Sequence, residues 1–265
     1  MTHDPLQGLQ FQEQRVAVAG VTARIQVAGE GPPVVYLHGA NGAAWAPGLA
    51  ALARSFRVYL PEHPGFGLTE RPEWMETVQD VALFYLDALD ALGLRDVNLV
   101  GQSLGGWIAA ELASLCCHPL RRLVLVAAAG LALPGERRVD VSALSPTEVA
   151  PLLFHDRALA ERSLAVQLSE EQIRAQFRNR AMTARLALSA RFAGSPLRTR
   201  LRRIRVPTLV LWGAEDRLIP VAHASAYAEG IPNARRVIIE ACGHLPAVER
   251  PEEFARIVAA FLQEE

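Results

Sequence analysis

No lysine occurs among the 265 residues, so all 27 basic residues are arginine. Without lysine, the chain cannot supply the phosphate-binding lysine of a P-loop, a Schiff base with a carbonyl compound, or a Ser-Lys dyad. Cysteine is also scarce: Cys116, Cys117 and Cys242 are the three present, and no Cys-x-x-Cys occurs. This composition excludes a disulfide framework and a zinc or redox motif of that type.

The sequence also lacks an excess of one charge and a long apolar run. Its 27 basic and 28 acidic residues give a net charge of −1 at pH 7, which provides no positive field for nucleic acid or anionic lipid. Its apolar runs are shorter than the roughly 20 residues that cross a bilayer. The first 15 residues do not resemble a secretory signal. We therefore expect a soluble cytoplasmic protein, a monomer or homodimer, with neither nucleic acid nor membrane as a partner.

Short apolar runs recur along the chain, each followed by a glycine-rich turn or a helix-like stretch. Runs of this kind, apolar on both faces, are typical of parallel sheets that helices cover on both sides. Residues 15–27 alternate instead around Gly20, which predicts an antiparallel hairpin at the sheet edge, and residues 73–92 predict a long helix. The sequence therefore predicts a doubly wound α/β fold with a mostly parallel sheet, whose core strands contain residues 34–37, 56–60, 97–100, 123–126, 208–211 and 237–239.

About 80 residues separate the runs at 123–126 and 208–211, whereas a crossover between parallel strands needs only about a dozen. Within this stretch, residues 145–192 are compatible with helix, begin with the helix-start pattern Ser-Pro-Thr-Glu, and contain no strand-like run. We expect residues 131–200 to form a helical cap. The cap would be inserted into a core made of residues 1–130 and 201–265.

Ser103 lies at the centre of Gly101-Gln102-Ser103-Leu104-Gly105, between an apolar run and a helix-like stretch. This is the pattern and the context of a nucleophile elbow, in which the serine occupies a strained strand-to-helix turn. The glycines on either side leave room for strand and helix to approach, and the N-terminus of the helix favours negative charge beside the serine. The motif predicts Ser103 as a nucleophile.

A serine hydroxyl needs an adjacent base, and the base needs an acid that orients it. His244 follows the run at 237–239, in the kind of loop where active sites of open α/β sheets converge. The acid is Asp216 or its neighbour Glu215, which the residues alone barely separate. The order serine, acid, histidine is the one that this fold uses. The other histidines after Ser103 are predicted in a helix end, the cap and a further helix: His118, His155 and His223.

An acyl-transfer site also needs two hydrogen-bond donors for the oxyanion of the tetrahedral intermediate. The backbone N–H of Leu104, directly after the nucleophile, is the first predicted donor. The second is expected from residues 38–42, where Gly39 lets the chain turn inward and makes Ala40 the candidate.

With these motifs the chain resembles the α/β-hydrolase superfamily over essentially its whole length, and most of all its capped carboxylesterase and carbon–carbon-bond hydrolase branch. The resemblance implies Ser103 as nucleophile, Asp216 rather than Glu215 as acid, and His244 as base. It also implies oxyanion donors at Ala40 and Leu104, and neither a cofactor nor a metal. Glu62 departs from the aspartate of many relatives, and we expect it to be structural. The matching segments are 38–39, 64–67, 101–106, 212–217, 219–220, 243–244 and 249–252.

Three functions are compatible with these residues. The first is hydrolysis of a small carboxylic ester through an acyl-enzyme, and the second is cleavage of a carbon–carbon bond in a vinylogous diketone acid. Hydrolases of the second kind often have asparagine and tryptophan where this chain has Gln102 and Leu245. They would also need a buried arginine for the substrate carboxylate, such as Arg185 or Arg191. The third is a ligand receptor on the same fold.

Two tryptophans lie near the predicted site. Trp107 belongs to the helix after the nucleophile, and Trp45 is close to the oxyanion loop. Large aromatic side chains pack in cores more often than they line substrate pockets. Both roles stay open for each tryptophan at this point.

Overall fold

Eight strands form one sheet in the described part of the computed structural model, which comprises residues 9–135, 139–193 and 197–264. Their order across the sheet is β1-β2-β4-β3-β5-β6-β7-β8. Each predicted core run overlaps one strand, with ends that differ by at most three residues. The strands are β1 (Gln12–Val18), β2 (Val21–Ala28), β3 (Pro33–Leu37), β4 (Arg57–Pro61), β5 (Val97–Gln102), β6 (Leu120–Val126), β7 (Thr208–Gly213) and β8 (Ala234–Ile239).

The sheet is parallel except at one edge. Strands β3 to β8 pair in parallel, whereas β2 runs antiparallel to both of its neighbours, β1 and β4. The two residues between β1 and β2, Ala19 and Gly20, have φ angles of 49° and 86°. Two-residue hairpins favour such positive values because they match the twist of the strands. The predicted edge hairpin and the mostly parallel sheet are confirmed.

Helices cover both faces of the sheet, and two apolar layers lie between them and the strands. One layer packs under α2, α3 and α8, and the other under α1 and α10. None of the described helices is long and apolar enough to cross a membrane. The helices are α1 (Pro47–Leu52), α2 (Val78–Ala91), α3 (Leu104–Leu115), α4 (Pro146–Leu153), α5 (Arg157–Ala165), α6 (Glu170–Ala193), α7 (Leu197–Arg200), α8 (Ala222–Gly230), α9 (Pro246–Glu249) and α10 (Pro251–Leu262).

The predicted start of α2 at residue 73 is wrong by five residues. Thr77 and Asp80 form a capping box, which fixes the first helical residue at Val78. Upstream, the Arg71 guanidinium donates to the carbonyls of residues 72, 73 and 75 at 3.1, 3.1 and 2.5 Å. Because that arginine takes the carbonyls that a preceding helical turn would use, the segment before Thr77 stays irregular.

The segment between β6 and β7 is helical in its described parts and contributes no strand to the sheet. Its helix α4 begins with a capping box between Ser145 and Glu148, as the Ser-Pro-Thr-Glu pattern predicts. Helix α6 buries Asn179, Met182 and Leu186, whose spacing of three and four residues places them on one face. The division of the chain into core and cap stays a prediction.

Candidate active site

Ser103 lies in a strained turn between β5 and α3, with φ 56° and ψ −115°. Such a conformation costs about 1–3 kcal/mol in a residue that has a side chain. A Cβ added to Gly105 would lie 2.0 Å from the carbonyl oxygen of Leu37, and one added to Gly101 would lie 2.3 Å from that of Gly105. The two glycines are therefore what allows strand and helix to approach closely. The Ser103 N–H donates to Val126 O at 2.9 Å, which fixes the turn.

Asp216 and His244 form a buried pair beyond the ends of β7 and β8. Their side chains are 0% and 2% exposed, and Asp216 Oδ2 lies 2.8 Å from His244 Nδ1. The other carboxylate oxygen accepts the backbone N–H groups of Leu218 and Ile219, both at 2.9 Å. Since the carboxylate accepts the Nδ1 proton, the Nε2 lone pair of the neutral ring is available to accept a proton. Glu215 is exposed, so the structure distinguishes two neighbours that the sequence does not.

His244 Nε2 is buried and has no hydrogen-bond partner in the described residues. Ser103 and His244 line one cavity, so the structure brings the serine, the histidine and the aspartate together at the carboxyl edge of the sheet. Gln102, the residue before the serine, links the serine turn to the histidine loop, because its Nε2 donates to the His244 carbonyl at 3.4 Å.

The two residues predicted to supply oxyanion donors, Ala40 and Leu104, both lie near Ser103. Leu104 is the first residue of α3, and N–H groups of the first helical turn have no partner within the helix. Ala40 lies in the loop after β3 and lines the same two cavities as Ser103. In this loop the Gly42 N–H donates to the Gly39 carbonyl at 3.2 Å. Both residues therefore lie near the serine, and the role of their N–H groups as oxyanion donors stays a prediction.

Two buried histidines hold the loop that carries Ala40. His38 Nδ1 lies 2.7 Å from Gly39 O, and its Nε2 accepts the backbone N–H of His63 at 3.0 Å. His63 Nε2 lies 2.8 Å from the His38 carbonyl, and its Nδ1 lies 2.5 Å from the hydroxyl of Tyr85. With both rings neutral, each ring has one donor and one acceptor, and every partner is satisfied. This network joins the loop after β3 to the loop after β4.

This network predicts a loss of stability in acid. Burial lowers the pKa of His38 from 6.5 to about 4, and burial with repulsion from His38 lowers the pKa of His63 well below 6.5. Unfolded chains take up these protons below about pH 6.5, whereas folded chains resist them. The contribution of the two neutral histidines to the free energy of unfolding is complete above pH 6.5 and is lost as the pH falls toward 4. For His38 it amounts to about 3 kcal/mol.

The measurement is the free energy of unfolding in urea at pH 7.5 and at pH 4. We expect His38→Asn to lose about 3 kcal/mol less than the wild type between these two pH values. His118→Asn, at an exposed position, is the matched control and should keep the wild-type difference. Equal losses in His38→Asn and the wild type would contradict the prediction.

Asn179 joins α6 to the loops beside the serine. Its Oδ1 accepts the N–H of Gly67 at 2.8 Å, and its Nδ2 donates to the carbonyl of Asn41 at 2.9 Å. Glu62 organises the Gly67 loop from the other side, because its Oε2 accepts the N–H groups of Leu68 and Thr69 at 2.8 and 2.7 Å. These contacts support a structural role for Glu62.

Glu249 joins the segment between β6 and β7 to the histidine loop. Its Oε1 accepts the N–H groups of His155 and Asp156 at 2.8 and 2.9 Å, and its Oε2 accepts the N–H of Gly243 at 2.5 Å. In addition, the His244 N–H donates to the carbonyl of Leu153 at 2.8 Å. The position of the backbone in the histidine loop therefore depends on residues of that segment.

Three cavities lie around Ala40, and two of them also contain Ser103. The first, about 160 Å³, is lined by Leu104, Trp107 and other mostly apolar side chains. The second, about 320 Å³, contains His244 and is lined by Trp45. The third, about 270 Å³, lies against α6 and includes Arg180. Each tryptophan therefore lines a cavity as well as packing in the protein.

Of the two arginines expected to hold a substrate carboxylate, Arg185 does not line these cavities. Arg185 is exposed and pairs with Glu76, and the side chain of Arg191 lies outside the described residues. Of the remaining histidines, His223 lines the first cavity, whereas His118 is exposed beyond the end of α3.

Several residues that hold the site were missed by the sequence analysis. Asn179, Glu249 and Tyr85 act on groups far away in the chain, and nothing in their local sequence predicts those contacts. The positions of His38 and His63 gave a weak indication, because each lies within two residues of the end of a core strand, where parallel strands bring loops together. Their polar side chains in apolar surroundings could have suggested mutual hydrogen bonds.

The chain is similar to a described protein family, to curated relatives and to solved structures. A family model described as the alpha/beta hydrolase fold matches residues 32–251. A 2-hydroxymuconate semialdehyde hydrolase from Pseudomonas putida is 32% identical, over 95% of this chain and 94% of the relative. A pimeloyl-[acyl-carrier protein] methyl ester esterase from Aeromonas salmonicida is 30% identical, over 88% and 96%. Among solved structures, a serine hydrolase involved in carbazole degradation (CarC enzyme) matches with a TM-score of 0.77 and 26% identity, over 96% of this chain and 99% of that one.

Proposed function

The chain belongs to the α/β-hydrolase fold family, and from this premise we propose that it is a serine hydrolase that cleaves small carboxylic esters. The observation that carries the proposal is the buried pair of Asp216 and His244. The His244 Nε2 has no hydrogen-bond partner among the described residues, and His244 shares a cavity with Ser103. A neutral imidazole held in this tautomer is the base that a serine nucleophile requires.

In the proposed reaction, Ser103 Oγ attacks the ester carbonyl while His244 Nε2 takes the hydroxyl proton. The tetrahedral oxyanion accepts hydrogen bonds from the N–H groups of Ala40 and Leu104. Asp216 stabilises the imidazolium, which then gives its proton to the leaving alcohol. A water molecule, activated by the same histidine, attacks the acyl-enzyme and releases the acid and free Ser103.

The linings of the two cavities at Ser103 support an ester over an anionic substrate. In the described residues, neither lining contains an arginine, and the first contains Asp140. A buried carboxylate needs a cation or several hydrogen-bond donors to offset its loss of hydration. A small neutral ester makes no such demand, so the mostly apolar walls are suited to it.

Carbon–carbon bond cleavage is the second candidate, and the comparisons favour it. The 32% identical relative from Pseudomonas putida is named for a semialdehyde hydrolase of a muconate rather than for an esterase. Arg180 lines the third cavity, next to Ala40 and Asn41, where a carboxylate could meet it. The same serine and histidine would serve this reaction.

Turnover of two substrate types separates the candidates. We expect the protein to hydrolyse p-nitrophenyl esters of short acyl chains, measured by release of nitrophenolate, because the cavities at Ser103 are mostly apolar. A 2-hydroxy-6-oxo-2,4-dienoate, followed by loss of its absorbance, is expected to react poorly. Turnover of the dienoate alone would replace the ester proposal with the second candidate. Specific binding of small ligands without turnover of either substrate would indicate a receptor.

A further inference from the structure

Ser103 lies where the first and second cavities meet, since it lines both of them. His244 lines the second cavity, whereas the described lining of the first does not include it. His244 is proposed to protonate the leaving alcohol and to activate the water, so it must face both the alcohol and the water. The alcohol and the water therefore belong in the second cavity, which His244 lines. The acyl chain of a substrate then extends from Ser103 into the first cavity, beside Leu104 and Trp107.

The acyl cavity is small and mostly apolar, with a volume of about 160 Å³. Besides Ser103 and the indole of Trp107, the polar side chains of its described lining are those of Asp140, Thr183 and His223. Asp140 and His223 each interact with other groups of the protein. Thr183 Oγ1 is buried and has no hydrogen-bond partner in the described residues. A buried hydroxyl without a hydrogen bond costs free energy unless another group forms a hydrogen bond with it.

The position of Thr183 on α6 makes this unsatisfied hydroxyl unusual. Threonine within a helix commonly donates to the carbonyl four residues earlier, which here belongs to Asn179. That bond is not formed, although Asn179 and Met182 fix this turn of α6 against the core. The hydroxyl is therefore not used within the helix, and Thr183 lines the cavity where a substrate group could come within its reach.

We propose that Thr183 selects acyl groups that carry an uncharged hydrogen-bond acceptor, such as an ether, ketone or hydroxyl oxygen. This inference rests on the proposed ester hydrolysis. A carboxylate is disfavoured at the same place, because the described lining of this cavity is mostly apolar and contains no arginine to offset the lost hydration of a charge. The natural substrate would then be an ester of a short, oxygenated acid.

Matched esters test the proposal, because an ether oxygen can replace a methylene group with little change in shape. The pairs are p-nitrophenyl methoxyacetate with butanoate, and p-nitrophenyl 3-methoxypropanoate with pentanoate. An ether oxygen also activates the ester carbonyl, so the quantity compared is the ratio of kcat/KM within each pair, in the wild type and in Thr183→Val. Valine keeps the shape of threonine and removes its hydroxyl.

We expect Thr183→Val to lower this ratio about 3- to 10-fold for at least one pair, as the loss of one hydrogen bond would. Thr183→Ser keeps the hydroxyl and should keep the wild-type ratio, and thermal melting shows that each variant is folded. Equal ratios in the wild type and Thr183→Val for both pairs would overturn the proposal. Thr183→Ala provides a second test of the same ratio if the valine variant does not fold.

The charge of the acyl group is tested separately. The p-nitrophenyl monoester of glutaric acid places a carboxylate near the end of a chain of similar length, and we expect it to be the poorest substrate of the set. A preference for it would overturn the choice of an uncharged group. If the wild type turns over none of these esters, both the ester function and this inference are overturned. If the wild type turns over the esters but Thr183→Val leaves the ratios unchanged, this inference alone is overturned.

Discussion

Replacement of Ser103 by alanine is expected to lower kcat for a short p-nitrophenyl ester at least about a thousandfold. The variant loses the proposed nucleophile, and only the oxyanion donors and binding contacts remain to assist attack by water. The fold should be unchanged, because the bond that fixes the turn runs from the Ser103 backbone N–H to Val126 O and does not involve the hydroxyl. Initial rates under saturating ester, with matched protein concentrations, measure the effect.

Ser225→Ala is a matched control for this substitution. The Ser225 hydroxyl accepts a hydrogen bond from Arg236 and lies outside the described cavity linings at Ser103. Its removal should leave kcat within about twofold of the wild type, as surface substitutions usually do. A Ser103→Ala variant that retains a tenth or more of wild-type activity would contradict the role of Ser103 as nucleophile.

Replacement of Asp216 by asparagine is expected to lower kcat about 10⁴-fold, as removal of the orienting carboxylate does in other serine hydrolases. An amide oxygen can still accept the N–H groups of Leu218 and Ile219, which now bind Asp216 Oδ1. The amide nitrogen then faces His244 Nδ1 and must donate to it. That contact favours a proton on Nε2, which removes the base that Ser103 needs.

Glu215→Gln is the matched control, since it makes the same chemical change at the neighbouring position. Glu215 is exposed, so we expect kcat within about twofold of the wild type. Circular dichroism and thermal melting of both variants separate a loss of chemistry from a loss of folding. If Glu215→Gln reduced kcat as strongly as Asp216→Asn, the choice of Asp216 as the acid would be wrong.

The sequence predicted the parts of this molecule that depend on local pattern. Apolar runs located the core strands, and the glycines around Ser103 predicted a turn whose tightness the structure shows in positive φ. The hairpin at Gly20 follows from the same kind of evidence. In each case the residues that determine the structure are close together in the chain, so their spacing carries the information.

Other features depend on tertiary contacts that the sequence does not show. Asp216 and Glu215 follow the same strand, and burial of one with exposure of the other depends on how the loop packs. The start of α2 was misplaced because Arg71 captures the carbonyls that precede Thr77. Asn179 accepts an N–H from a residue 112 positions earlier, a separation that no local pattern reports.

The contacts of Glu249 have a consequence for how the protein fluctuates. Any opening that lifts residues 153–156 from the core breaks the two hydrogen bonds that His155 and Asp156 N–H groups donate to the buried Glu249 carboxylate. It also breaks the hydrogen bond from the His244 N–H to the Leu153 carbonyl. We therefore expect that segment and the loop of His244, the proposed base, to open as one cooperative unit, which would displace the proposed base in an open molecule. Evolution toward bulkier substrates by a wider swing of this segment would sacrifice turnover. Changes of side chain inside the cavities leave the coupling intact and are the less costly route to a new specificity.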